Sequence, residues 1–407
     1  MTMVLLVMLT FFIISFLTNI LGAILPDAKT DFNLTLAMAG ILPFAFFIAY
    51  GVMSIPSGYL VERYGEKKMM ISAFTLATFA NFMFVLMPNY ITFITSLFLV
   101  GAGMAALQVI INPLLRTAGG EEHYSFYCVM GQLVFGLASF VSPVVFSYLV
   151  VNLKKENFSA PLINIFYHLV PHHLLWTSIY WICAITALFM IIILIFIKFP
   201  TVELQEEEKI KGGAVILELL KNKTTIMFFF GLFAYVGTEQ GFNNWMSKFL
   251  NLYHGYNPDT IGANAVSHFW LLMTIGGIFG LILLKFFDVK KILSVFIILT
   301  MVFLTTALTG SGSTALFSFS ACGFLLSVMY PGVFSLGLNS IDKHHGTFAG
   351  ILCTGICGGA IVPLAIGGLG QIIGLKGSMC LLYLTLLYML YIAIFSRPLI
   401  KNKTFFN

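Results

Sequence analysis

The chain has 407 residues, of which 59% are hydrophobic and 9% charged, and its net charge at pH 7 is +5. A soluble domain carries roughly 25% charged residues, so this chain has too little charge to cover a water-facing surface, and lipid is its solvent. The positive balance does not indicate nucleic acid. Its Lys and Arg residues stand at the ends of apolar runs and form no sustained patch. With about 20 apolar residues per crossing and short loops between, the length accommodates about twelve membrane helices.

The first apolar run covers residues 4–26. It is too long for the core of a signal peptide and has no basic segment before it, so it reads as the first membrane helix. Further runs follow at 36–60, 69–88, 91–115, 124–151 and 176–198. After a polar interval they resume at 226–252, 263–286, 291–309, 314–338, 347–373 and 377–396. The interval from Thr201 to Thr225 holds Glu203, Glu206, Glu207, Glu208, Lys209 and Lys211. The expected organisation is a six-helix bundle over 1–200, a cytoplasmic linker over 201–225, and a second six-helix bundle over 226–407. With the N-terminus placed in the cytoplasm, 16 of the 21 Lys and Arg residues fall on that side and 5 fall outside. Lys29, Lys154, Lys155, Lys248 and Lys376 are the outer five. This bias predicts both termini in the cytoplasm of a multi-pass protein of the cell (inner) membrane.

Two groups of metal-capable residues are weak. Six cysteines lie in apolar runs, and Cys353 and Cys357 share a helix face without a second pair, which reads as packing. In the outer loop from Asn152 to Leu175, the spacing of His168, His172 and His173 can set two imidazoles on one helix face. No fourth ligand accompanies them, so no metal site is assigned and the loop reads as interfacial and partly helical.

The loop after the second run reads G-Y-L-V-E-R-Y-G-E-K-K from Gly58 to Lys68. It resembles the signature loop of the major facilitator superfamily, with Glu62 where that family usually has Asp. The degraded second copy runs from Gly280 to Lys291. The resemblance implies two pseudo-symmetric bundles in an all-α polytopic fold of twelve transmembrane helices. It also implies a gating loop of Gly58, Glu62, Arg63 and Gly65, whose acid and arginine form ion pairs that break when the halves rock. Four further segments resemble the fucose–proton and glucose/galactose symporter branch. They are L-Q-V-I-I-N-P (Leu107–Pro113), Y-V-G-T-E-Q-G (Tyr235–Gly241), Y-P-G-V-F-S-L-G (Tyr330–Gly337) and G-I-C-G-G-A-I-V-P (Gly355–Pro363). By that resemblance Asn19, Gln108 and Gln132 match sugar-site positions, and the substrate is sugar-like. The fucose-type carboxylates are absent. Gly22 stands where the first-helix Asp would be, and Gln108 stands where the fourth-helix Glu would be, as in the glucose/galactose members.

Of sixteen acidic residues, Glu239 alone lies well within an expected span. A carboxyl at that depth is costly unless protonated, paired or hydrated, which makes it a functional candidate. It is read as the coupling residue, carrying H⁺ or helping to hold Na⁺, with a structural interhelix hydrogen bond as the alternative. Asn243, one turn on, is expected to share its face. Gly237 and Gly241 are expected to loosen the helix there.

Sugar recognition needs uncharged donors and acceptors around an aromatic platform. The embedded amides are Asn19, Gln108, Asn112, Gln132, Asn243 and Asn244, and Trp245 or Trp270 can supply the platform. Each amide alone can equally be interhelix glue. His268 either assists proton movement or packs, and Arg116 anchors the fourth helix or pairs with a loop acid.

These readings make the chain a secondary transporter of a hexose or similar neutral polyhydroxy solute, working by alternating access. Its coupling ion is H⁺ or Na⁺, and no cofactor is implied. The partners expected are a small-molecule substrate and the lipid bilayer, with no nucleic acid, and the protein is expected to be a monomer. Two alternatives keep the fold: a transporter of amphipathic compounds such as drugs or lipids, and a transport-inactive sensor. An enzyme is not expected, because one lone Glu supplies neither an acid pair nor a metal cluster, and no P-loop occurs.

Overall fold

A computed structural model describes residues 2–34, 36–154, 161–197, 199, 212–256, 261–400 and 402–405. Among these residues the regular structure is all helical. The first half comprises span 1 (Thr2–Asn19 continued by Leu21–Asp31), span 2 (Leu36–Tyr64) and span 3 (Glu66–Leu86). Span 4 (Tyr90–Gly119), span 5 (Tyr124–Lys154) and span 6 (Ser178–Phe196) complete it. The second half has span 7 (Lys223–His254), span 8 (Ala263–Phe286) and span 9 (Val289–Thr309). Span 10 joins Gly312–Leu326 to Met329–Leu338. Span 11 runs from His345–Thr354 through Gly355–Cys357 into Gly358–Met379, which bends at Gly374 and leads into span 12 (Leu381–Phe395).

The helix starts follow from local chemistry. The Asn89 side chain accepts from Thr92 N at 3.0 Å while the Thr92 hydroxyl takes the Asn89 N–H, so two orphan donors are satisfied at the head of span 4. Asn222 and Asp288 cap spans 7 and 9 by accepting from Thr224 N and Lys290 N, each at 2.8 Å. Between spans 2 and 3 the chain reverses through Gly65 at φ +82°, a conformation that a Cβ would strain.

Two short helices lie outside the spans. Pro161–Leu169 sits in the loop that carries the histidines, where His172 packs on Tyr167 with ring centroids 4.6 Å apart. Gly212–Lys221 precedes span 7. The acidic part of the expected linker, residues 200–211, lies outside the described residues.

Spans 1 and 5 run in the same direction. The ring of Phe11 packs on Gly131, and the Ser142 hydroxyl donates to the Phe16 carbonyl. The N-terminus therefore lies on the same side as the span 4–5 turn. The C-terminal tail crosses that side as well. Leu399 N and Ile400 N donate to the Asn339 carbonyl, and Lys403 N donates to Glu122 O at 2.9 Å.

Span 7 corrects one expectation. It is a single uninterrupted helix, and its glycines serve close packing. A Cβ on Gly237 would stand 2.4 Å from Val362 Cγ2, and one on Gly241 would stand 2.7 Å from Leu382 Cδ2. The breaks fall instead at Ile20, between Leu326 and Met329, and at Gly355–Cys357. In span 10 the restart at Met329 puts Pro331 in a first turn, where its missing N–H is not needed.

Candidate functional site

A cavity of about 1980 Å³ lies between the halves. It reaches the ends of spans 7 and 11 at Leu252, Tyr253 and Gly374, on the side away from the termini. Its wall brings together seven of the residues expected at a substrate site: Asn19, Gln132, Asn243, Asn244, Trp245, His268 and Trp270. Spans 1 and 5 supply the first two, and spans 7 and 8 supply the rest.

Several of these side chains are held by neighbouring protein groups. The Trp270 indole N–H donates to Asn243 Oδ1 at 2.9 Å, and the Trp245 indole N–H donates to the Pro363 carbonyl at 3.0 Å. The Asn19 amide nitrogen donates to Ser139 Oγ at 2.8 Å, as well as to the Ser15 carbonyl and hydroxyl. The result is two indoles and several amides fixed on a partly apolar wall, the combination that binds a solute with hydroxyls on its edge and C–H on its face.

Gln108, Asn112 and Glu239 are not on that wall. They lie beneath it, in a buried polar layer that joins the halves. Gln108 Nε2 donates to the Tyr330 hydroxyl at 3.1 Å, from span 4 across to span 10. The Tyr330 and Tyr235 rings stand 5.6 Å apart, and Glu239, only 9% exposed, lies one turn after Tyr235 on span 7. Asn112 is 2% exposed and spends its amide on the Gln108 carbonyl at 2.7 Å, within its own helix. Asn243 lines the wall, while Glu239, one turn before it on the same helix, does not. Four residues advance a helix by about 40° past one full turn, which is enough here to set Asn243 on the wall and Glu239 behind it.

Below this layer the halves close on each other. The Ser125 and Ser335 hydroxyls meet at 2.9 Å. Arg116 is 6% exposed; its Nε donates to Asn339 Oδ1 at 2.9 Å and its Nη1 pairs with Glu121 at 2.9 Å. Glu62 accepts from both the Thr347 N–H and its hydroxyl at 2.8 Å, with His344 Nδ1 3.6 Å away. A Cβ on Gly58 would stand 2.6 Å from the Gly346 carbonyl oxygen, so glycine is what lets spans 2 and 11 touch. All the cross-half hydrogen bonds and ion pairs described lie at the cavity floor or on this sealed side.

A model of the Major Facilitator Superfamily matches residues 7–364. The chain belongs to that superfamily. Its members are transporters, so this multi-pass membrane protein belongs to a family of carriers and not of enzymes. The glucose/galactose transporter of Brucella abortus is 28% identical over 381 residues, covering 90% of this chain and 87% of that one. The L-fucose-proton symporter of Escherichia coli is 22% identical over 372 residues, covering 88% and 84%. Among solved structures, the superfamily transporter FucP in its outward conformation superposes with a TM-score of 0.84 at 21% identity, covering 97% and 98% of the two chains. The twelve-span superfamily fold expected from the sequence is therefore present.

Within the superfamily signature loop one expectation changes. Glu62 reaches the other half through hydrogen bonds from Thr347 and not through an ion pair with an arginine, and Arg63 stays on its own helix. It points outward, donates to the Tyr59 hydroxyl at 3.4 Å and lies 5.5 Å from the Tyr64 ring centroid. The deeper arginine, Arg116, makes the cross-half contact. It pairs with a loop acid, Glu121, as expected, and its reach to Asn339 was not legible because the partner lies 223 residues away.

Other wall residues were also missed. Gln240 and Gln371 line the cavity, the latter visible in sequence only as a lone amide in an apolar run. Lys248, counted with the outer loops, sits inside span 7 on the cavity wall. Its signal was a lone cation within an apolar helix.

Proposed function

We propose that the chain is a secondary transporter that moves a sugar or similar polyhydroxy solute through the membrane by alternating access. The observation that carries this reading is the two-tier arrangement between the halves. An upper cavity offers amides and two anchored indoles from both halves. A lower layer places Glu239 and the Gln108–Tyr330 hydrogen bond between that cavity and the sealed side. The relatives named as glucose/galactose and L-fucose-proton carriers support the sugar class. The positive charge bias supports a sealed side facing the cytoplasm, with both termini there, in the cell membrane. The cavity is built within one chain, which supports a single chain as the transporting unit.

In this reading Glu239 couples movement to H⁺ or Na⁺. It is the buried carboxyl between the cavity and the contacts that must part for release. It would carry a proton in one state, or join carbonyl oxygens around Na⁺.

The test is uptake of labelled glucose, galactose and fucose into proteoliposomes under an H⁺ gradient, an Na⁺ gradient or neither. Accumulation under one gradient is expected, and Glu239→Gln should abolish accumulation while equilibrating exchange persists. If wild type and Glu239→Gln accumulate equally, Glu239 has no coupling role. If no sugar moves and a dye does, the amphipathic-substrate reading takes over, which Phe44, Phe47 and Phe140 on the wall permit.

A further inference from the structure

The charge on the cavity wall is one-sided. Among the described residues Lys248 and His268 line the cavity, and no Asp or Glu lines it. The Lys248 ammonium lies 5.4 Å from the centroid of the Trp245 ring, so it is drawn along the wall beside one of the two indoles. No described carboxylate forms an ion pair with it. Its position also runs against the charge bias of the chain, which places 16 of 21 cations on the opposite side. An exposed cation on the wall of a cleft that carries no acid makes the local potential positive. It raises the local concentration of anions and offsets the desolvation of one bound negative charge.

From this wall we infer that the substrate is a sugar acid, a polyhydroxy compound bearing one carboxylate, with Lys248 as its counter-charge. The inference rests on the sugar reading above and narrows it. One lysine balances a monoanion, whereas a phosphorylated sugar would leave net negative charge on a wall with no second lysine among the described residues. The carboxylate would pair with Lys248 above Trp245, while Asn243, Asn244 and Gln240 on the same helix meet the hydroxyls.

The experiment is equilibrium binding of labelled D-glucuronate, D-galacturonate, D-glucose and D-galactose to the purified full chain in detergent, with D-glucuronamide as the uncharged match. A uronate is expected to bind at least tenfold tighter than its neutral counterpart and than the amide, with the ratio falling as salt rises. Lys248→Gln should bring the ratio close to one, and Lys248→Arg should keep most of it. Neutral sugars binding as tightly as uronates, or a ratio untouched by Lys248→Gln, would overturn the sugar-acid inference and leave the sugar reading standing. Binding of none of these compounds to protein that still unfolds cooperatively would overturn both.

Discussion

Asn243 shows how one side chain can serve both structure and recognition. Its Oδ1 holds the Trp270 indole N–H, and its Nδ2 donates to Asn244 Oδ1 at 3.3 Å. Replacing it by Leu strands the indole N–H on a half-apolar wall and frees the ring to turn. Leaving such a donor unpaired costs about 1–3 kcal/mol. Asn243→Leu is therefore expected to weaken sugar binding by about tenfold or more, read by titrating the fluorescence of the wall tryptophans. Unchanged affinity would show that Trp270 is positioned by packing alone. Asn243, Trp245 and Trp270 stand out as candidates in the sequence because polar and indole groups are rare at membrane depth. The sequence could not show that Asn243 and Trp270 hold each other, because they lie on different helices.

Glycines separate two roles at the level of the helix. Gly58 lies where spans 2 and 11 touch across the halves, and Gly237 lies where spans 7 and 11 touch within one half. A larger residue at each has a different consequence. Gly58→Val pushes against backbone at 2.6 Å in a contact that exists only while the sealed side is closed. It should shift the protein toward the opposite state. The check is labelling of a Ser335→Cys probe, buried in the seal, by an impermeant maleimide, and faster labelling is expected. Gly237→Val instead overpacks an interface present in every state, at a cost of about 1–3 kcal/mol. It should lower the melting temperature in detergent with little change in Ser335→Cys labelling. Equal responses from the two variants would dissolve the distinction.

For the whole molecule, the closed side is held by few polar contacts. Glu62 to Thr347, Arg116 to Asn339, Ser125 to Ser335 and Gln108 to Tyr330 are each worth on the order of 1 kcal/mol, the charged ones more. A sum of about 4–6 kcal/mol biases the equilibrium without locking it, as a carrier requires, because a ligand shifts two states only by its differential affinity. Glu62→Ala combined with Arg116→Ala removes about 2–3 kcal/mol of this bias. The population open on the sealed side should rise roughly thirty- to 150-fold, measurable as the Ser335→Cys labelling rate. No change would assign closure to helix packing and to the C-terminal tail, where Lys403 N bonds Glu122 O.

Apolar run length, charge bias and local motifs determined the class of fold, the number of spans and the identity of the one embedded acid. Each is a property of neighbouring residues: about 20 apolar residues must cross the bilayer, and lone polar groups within them stand out. The tertiary structure alone decided how the polar groups sort. It put Asn19, Gln132 and Asn243 on the wall and Gln108, Asn112 and Glu239 beneath it, moved Lys248 from loop to cavity, and gave closure to Arg116 instead of Arg63. It also relocated the helix breaks from span 7 to spans 1, 10 and 11. Helix rotation and the approach of partners more than 200 residues away set these outcomes, and neither is written in any local stretch of the chain.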